Sequence, residues 1–326
     1  MVWLDNSRIL AIYAVVLLHV ASAVERGSDI GTEYWWFGNI YESAVRWCVP
    51  VFVMVSGALL LDPNKKEDLL TFYKKRFSRI LVPISIWTVF FLAAAFLKNS
   101  LMGNELTIMD LLKRVLSGRP YYHMWFLYMI LGLYLFTPFF RKIIANSTKN
   151  ELVFLAVITF AISAFNYAYG GGRSKLFINW FLLYAPFFFV GYLIRQDKNR
   201  PSIVVLWGAF LFSFLLTCVG YYLTDRSYFY GYLSISVIPM SISIMYIFKT
   251  LDKPIYNECV TKKLSLLTLG IYLIHPLILE IIRYKEYGAM SFHPLISIPI
   301  ISFVVFVLSL GVAWIIYQVP YLRRII

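Results

Sequence analysis

The sequence predicts an all-α fold: a polytopic integral membrane protein of about ten transmembrane helices, with both termini cytoplasmic. Three observations predict it. Of 326 residues, 60 % are hydrophobic and only 14 % charged, where a soluble domain carries about 45–50 % and 25 %. The apolar residues fall in runs of about 20, the length a helix needs to cross a bilayer. Lys and Arg gather in alternate linkers, as they do between membrane spans. Mean hydropathy is +0.71. Such a chain cannot cover a water-facing surface, and its composition excludes disorder and a collagen-like repeat. Aromatic residues, at 18 %, suit interfacial belts and packed bundles.

The first span covers about residues 7–24. Within it Ala21-Ser22-Ala23 follows an apolar stretch and resembles a signal-peptide cleavage site. Asp5 and His19 are atypical of such a peptide, so the segment is read as a retained helix. The second span, about 43–61, contains Arg46 and Pro50. The third, about 79–97, follows the basic run Lys74-Lys75-Arg76-Phe77-Ser78-Arg79. The fourth, about 124–144, is entered through His123 and Trp125. The fifth to eighth cover about 151–168, 178–194, 202–223 and 231–249. The ninth, about 264–282, carries His275 just before Pro276, and the tenth covers about 295–317. The linkers are short except for about 25–42 and 98–123, which have room for small interfacial helices; Leu106–Leu116 looks amphipathic. No repeat, low-complexity tract or soluble segment breaks the pattern, so residues 1–326 read as one membrane-embedded domain.

The net charge of +13 does not point to nucleic acid, because excess Lys and Arg in a membrane protein collect in cytoplasmic loops. With the N-terminus inside, about 19 basic residues face the cytoplasm, Lys66 and Arg200 among them. About 10 face outward, including Arg173, Lys175 and Arg226. Cys48, Cys218 and Cys259 have neither metal nor redox spacing. No metal centre is expected.

Ionisable residues inside a membrane are functional candidates by default, because they cost several kcal/mol there. Arg8 and His19 are eleven residues apart, about 20° past three full turns, so they share a face with a rise of about 16 Å. Arg8 then sits at the cytoplasmic mouth and His19 near mid-membrane. A neutral imidazole is what a general base needs; a structural His bonded to a neighbouring helix is the alternative. Arg76 and Arg79 are at i, i+3 on one face, with Lys75 beside them. At the cytoplasmic start of a span, orphan N–H groups plus two guanidinium forks would suit phosphate, although basic residues beside a span are also ordinary topology signals. Arg46 is positioned either to pair with Glu42 or to bind an acceptor. Trp125 reads as an interfacial anchor or a site residue, and His275 as the cap of a kink or a site residue. His293 reads as a solvated loop residue. Glu25, Asp29 and Glu33 read as solvated loop charge or acceptor contacts.

At these positions the chain resembles the membrane acyltransferase-3 family. Arg8-x10-His19, preceded by Leu4-Asp5-Asn6, resembles its Arg/Lys-x10-His signature, and Arg76-x-x-Arg79 its Arg-x-x-Arg motif. Further matches follow in order: Arg46-x3-Pro50-Val51-Phe52-x3-Ser56-Gly57, Tyr122-His123-x-Trp125-Phe126, Phe189-x-Gly191-Tyr192, and Leu269-Gly270-Ile271-Tyr272-x2-His275. The resemblance implies transfer of acetyl from cytoplasmic acetyl-CoA to a hydroxyl of an extracytoplasmic carbohydrate. His19 would be the catalytic residue, Arg8 its partner, and Arg76 and Arg79, with Lys75, the ligands of the CoA phosphates. Arg46, His123, Trp125 and His275 would hold the acceptor. The chain looks most like the bacterial surface-polysaccharide branch of the inner membrane, the O-acetyltransferases of O-antigen and enterobacterial common antigen. The acceptor is then a polysaccharide or lipid-linked oligosaccharide. The fused extracytoplasmic domain of longer members is not seen, so one membrane domain is expected to complete the transfer. A flippase for a lipid-linked sugar, or the same fold with a succinyl or other acyl donor, are the rival readings. The flippase would favour paired broken helices in related halves, and Pro50, Pro239 and Pro276 do not occupy matching positions.

Overall fold

Hydropathy this high forces backbone groups to pair within their own segment, so helices are the available solution. The computed structural model describes residues 1–65, 67–170, 180–199, 201–224, 227–285 and 288–326, without the side chains of 169 and 170. Lys66, Arg173, Lys175, Arg200 and Arg226, and the first two residues of the sixth expected span, lie outside the described residues. Among the described residues are twelve α-helices and no strand. In order these are α1 (Val2–Arg26), α2 (Glu33–Ala44), α3 (Cys48–Leu60), α4 (Leu69–Leu101), α5 (Ile108–Leu116), α6 (Trp125–Ala145), α7 (Lys149–Gly170), α8 (Trp180–Gln196), α9 (Ile203–Thr224), α10 (Val237–Lys249), α11 (Glu258–Tyr284) and α12 (Pro294–Gln318). Every expected span falls on one of them. Among the described residues, eight helices are long and apolar enough to cross a membrane, with α2 and α3 taken together as one. α8 has 17 residues and α10 has 13.

Several boundaries differ from the sequence expectation, α11 for instance starting at Glu258 rather than about 264, and three have a clear local reason. The second crossing starts at Glu33 rather than about residue 43, because Thr32 caps α2 through Trp35 N–H at 3.4 Å. It then breaks at Val45–Trp47. Pro50 has no N–H, so the Arg46 carbonyl finds no donor four residues on, and the proline ring crowds it. The indole N–H of Trp47 closes the broken end by donating to the Ala44 carbonyl at 2.8 Å. The third crossing starts at Leu69 rather than about 79, capped by the Asp68 carboxylate, which accepts from Thr71 N–H at 3.0 Å. The eighth begins its α-helix only at Val237. Before it lie a 3₁₀ turn, Ser227–Tyr230, and an irregular stretch to Ser236.

α1 is the central helix and packs against α2, α3, α10, α11 and α12. α3 and α8 cross at touching distance. A methyl group at Gly57 would overlap the Phe188 carbonyl, and one at Gly191 the Met54 carbonyl. α11 meets α12 at Gly270, where an added Cβ would lie 2.9 Å from that of Ala313. The C-terminal end of α3 is held by cations from three directions. Arg195 donates to the Ala58 carbonyl, Lys65 to that of Leu59 and Arg141 to that of Leu60, each at 2.6 Å. These satisfy carbonyls that have no helical partner and complement the negative end of the dipole. α4, α7, α9 and α12 turn Val89, Phe154, Phe212 and Phe303 outward, an apolar perimeter that only lipid can cover. α5 buries no residue and exposes Ile108, Met109, Leu112 and Leu116 opposite Lys113 and Arg114, as an interfacial helix does.

Candidate active site

Helix periodicity places Arg8, His19 and Arg26 on one face of α1, since eighteen residues complete about five turns. That face meets a cavity at each end of the bundle. Arg8 lines one of about 240 Å³, together with Arg76, Arg79, Ser56, Tyr134 and Ser265. His19 and Arg26 line a larger one, of about 730 Å³, with Glu42, Arg46, Tyr122, Trp125, Tyr232 and Arg283. A void of about 30 Å³ lies between them. It shares His19, Trp125 and Tyr232 with the larger cavity and Phe126 and Tyr272 with the smaller. His19 therefore stands at the inner end of the larger cavity, facing the constriction.

The smaller cavity brings together Arg8, Arg76 and Arg79 from α1 and α4 but not Lys75. Lys75 is exposed and ion-paired with Glu67 at 2.8 Å, and that hydrogen bond holds the Glu67 carboxyl below the usual carboxylate range. No helix N-terminus contributes at these arginines. Arg76 stands seven residues inside α4, where backbone N–H groups are already paired, and the true N-terminus is capped by Asp68. What remains is side-chain chemistry. Arg76 and Arg79 make no ion pair among the described residues, and the buried Arg76 Nε has no hydrogen-bond partner. Three guanidiniums at one mouth, none of them in an ion pair among the described residues, fit an anionic phosphate group.

Around His19 the structure gathers more than the sequence indicated. His19 is not the only deep imidazole. Its ring stacks on that of His275, with centroids 5.3 Å apart, and His123 lies 5.6 Å from His275. His275 is fully buried, and its Nδ1 bonds the Ile271 carbonyl at 3.2 Å. It thus bonds back to its own helix, in the interior of α11 just before Pro276, and also serves as the wall behind His19. His123 has neither ring nitrogen hydrogen-bonded. Tyr122 meets His19 edge-on at 5.0 Å, and the Tyr272 hydroxyl donates to the His123 carbonyl. Trp125 is no interfacial anchor. It stacks on Tyr232 at 5.9 Å and faces both Trp180 and Tyr184.

Arg46 sits in the break between α2 and α3, where both earlier readings meet. It is paired with Glu42, lies 4.1 Å over the Tyr230 ring and donates to the Tyr230 carbonyl at 2.9 Å, yet it also lines the cavity. The break at Val45–Trp47 and the irregular connection before α10 therefore meet at this wall. Proline spacing in the sequence did not reveal that pairing. Glu25 is not solvated loop charge: it is buried and accepts from Tyr221 Oη at 2.8 Å. Glu33 is largely exposed and meets His293 at 3.2 Å. Asn39, buried between Tyr230 Oη and Ser43 Oγ, is a structural polar residue that no motif marked, and Asn6, quoted in the first-helix motif without a role, ties α1 to the carbonyls of Leu251 and Lys253.

A family model described as an acyltransferase domain matches residues 1–318. No curated protein and no solved structure matches the chain.

Proposed function

The chain belongs to the acyltransferase-3 family of membrane proteins, and from that premise we propose that it moves an acetyl group from cytoplasmic acetyl-CoA to a hydroxyl of a carbohydrate on the far side of the membrane. The observation that carries this reading is the meeting of two unlike cavities at one imidazole. One mouth presents Arg8, Arg76 and Arg79, the other presents aromatic rings and Arg46, and His19 stands between. CoA phosphates rest on the three arginines, and the pantetheine arm extends past Phe126 and Tyr272 towards His19. The rise of about 16 Å from Arg8 to His19 is within the reach of that arm. The acceptor hydroxyl comes from the larger cavity. His19 takes its proton as the oxygen attacks the thioester carbonyl; the C–S bond breaks, and the proton goes to the departing CoA sulfur. Phe126, Tyr272 and the small void keep bulk water from the thioester. Trp125, Tyr232 and Tyr122 offer ring faces to a sugar, and His123 and His275 orient His19.

The acceptor is read as a surface polysaccharide or its lipid-linked precursor, in a bacterial inner membrane. The broken second crossing at the cavity favours a second reading, a carrier for a lipid-linked sugar. One experiment separates them. Purified protein is given acetyl-CoA with and without candidate glycans, and release of CoA thiol is followed. Acyl transfer predicts thiol release that rises with acceptor and an acetylated glycan as product. A protein that releases no thiol yet moves lipid-linked sugar across a vesicle membrane would be the carrier.

A further inference from the structure

We infer that the larger cavity takes an acceptor carrying an anionic group, a carboxylate or a phosphate, beside the hydroxyl that is acylated. The inference rests on reading this cavity as the acceptor side. Three guanidiniums line it, Arg26, Arg46 and Arg283, against one carboxylate, Glu42. Arg46 is already committed to Glu42 and the Tyr230 carbonyl. Arg26 and Arg283 make no ion pair or hydrogen bond among the described residues. Three other cations at this end of the bundle are occupied, while Arg114 and Lys285 line no part of this cavity. Lys98 pairs with Glu280, Lys113 with Asp110 at 3.7 Å, and Arg119 lies 4.9 Å over Trp180.

Placement argues the same way. Arg26 and Arg283 each stand in the last turn of a helix, α1 and α11, where a cation complements the dipole. That preference explains one charge per helix. It does not explain why both converge on one cavity beside a third arginine, at the membrane face where basic residues are ordinarily sparse. Arg26 is also on the His19 face, about 10 Å further along the helix. A group held there lies about one to two sugar rings from the imidazole. Guanidinium forks match carboxylate and phosphate oxygens with paired hydrogen bonds. A neutral glycan would leave two of them facing it without counter-charge.

The test is equilibrium binding to the purified full-length protein, with no acyl donor present. The probes are methyl glucuronoside against its uncharged methyl ester, and farnesyl diphosphate against farnesol. At least one anionic probe should bind about tenfold or more tightly than its neutral counterpart. The pair that shows the advantage identifies its source as sugar carboxylate or carrier diphosphate. Arg26→Gln with Arg283→Gln should erase the advantage, and Arg26→Lys with Arg283→Lys should keep most of it. In the wild type the advantage should shrink as salt rises from about 50 to about 500 mM, a measurement that holds even if the glutamine variant fails to fold. Equal binding within both pairs, an advantage that survives the glutamines, or one indifferent to salt would overturn the inference. Because binding needs no turnover, an anionic preference without acyl transfer would sink only the proposed function. Transfer to neutral glycans without that preference would sink only this inference.

Discussion

At the scale of single residues, the His275 Nδ1–H donates to the Ile271 carbonyl, which leaves Nε2 as the lone-pair nitrogen, buried and without a partner behind the His19 ring. Removing that imidazole opens a space where His19 can turn away. His275→Ala should lower kcat for acetyl transfer about tenfold or more while acetyl-CoA affinity changes less than about threefold. His293→Ala, which alters the cap of α12 and contacts with Glu33, Tyr34 and Phe37 away from the His19 cluster, serves as the control. An unchanged kcat in His275→Ala would leave the residue a structural group of α11. On the donor side, Arg79→Ala should weaken acetyl-CoA binding about tenfold or more, since a charge-assisted hydrogen bond contributes about 1.5–3 kcal/mol. Lys75→Ala should stay within about twofold, because Lys75 points to Glu67 and not into the cavity. Equal losses in the two would return the cluster to a topology signal. The Arg8–His19 relation was legible because one helix's periodicity fixes it. The approach of His123 and His275 was not, because it depends on how α6 and α11 pack against α1. No spacing within either segment encodes that.

At the scale of elements, the crossing of α3 and α8 rests on two glycines that let backbones touch. Gly57→Ala and Gly191→Ala each force a methyl against a backbone carbonyl that cannot swing aside. Each should destabilise the protein by about 1–3 kcal/mol or prevent its folding. Gly208 and Gly311 have open space around the missing Cβ, so Gly208→Ala and Gly311→Ala should be neutral or stabilising by up to about 1 kcal/mol. Thermal unfolding in detergent, read by aggregation or fluorescence, distinguishes the two pairs. Equal effects would mean the α3–α8 contact is looser than described. Most of the helices were legible, because a run of about 20 apolar residues has few other meanings; α2, which fell in an expected linker, was not. The boundaries were not. Polar caps at Thr32 and Asp68 extend two helices well beyond their apolar stretches, and the break at Arg46 follows from Pro50 acting four residues upstream.

At the scale of the whole molecule, the residues of each cavity come from helix ends that alternate in direction along the chain. Arg8, Arg76, Arg79 and Ser265 lie at one face of the bundle, and Arg26, Trp125, Tyr232 and Arg283 at the other. The same grouping follows from about ten crossings with both termini in the cytoplasm. Reporter fusions after Asn64 and Pro254 should report cytoplasm, and fusions after Asn104 and Met290 the opposite side. A reversed pattern would exchange the donor and acceptor faces. The sorting of charge was legible from the Lys and Arg counts. The joining of the two cavities at a constriction was not, because it arises from six helices at once.

The central claim is that His19 is the base at that constriction. The most direct measurement is acetyl transfer by His19→Ala and His19→Gln, with acetyl-CoA binding followed in the same preparations. General-base assistance contributes about 10²–10⁴-fold. Both variants should therefore lose transfer by at least the lower figure while binding the donor about as well as the wild type. Glutamine fails like alanine because an amide does not accept the proton at neutral pH. A loss of only about two- or threefold, with donor binding intact, would contradict the account and leave His19 a structural residue.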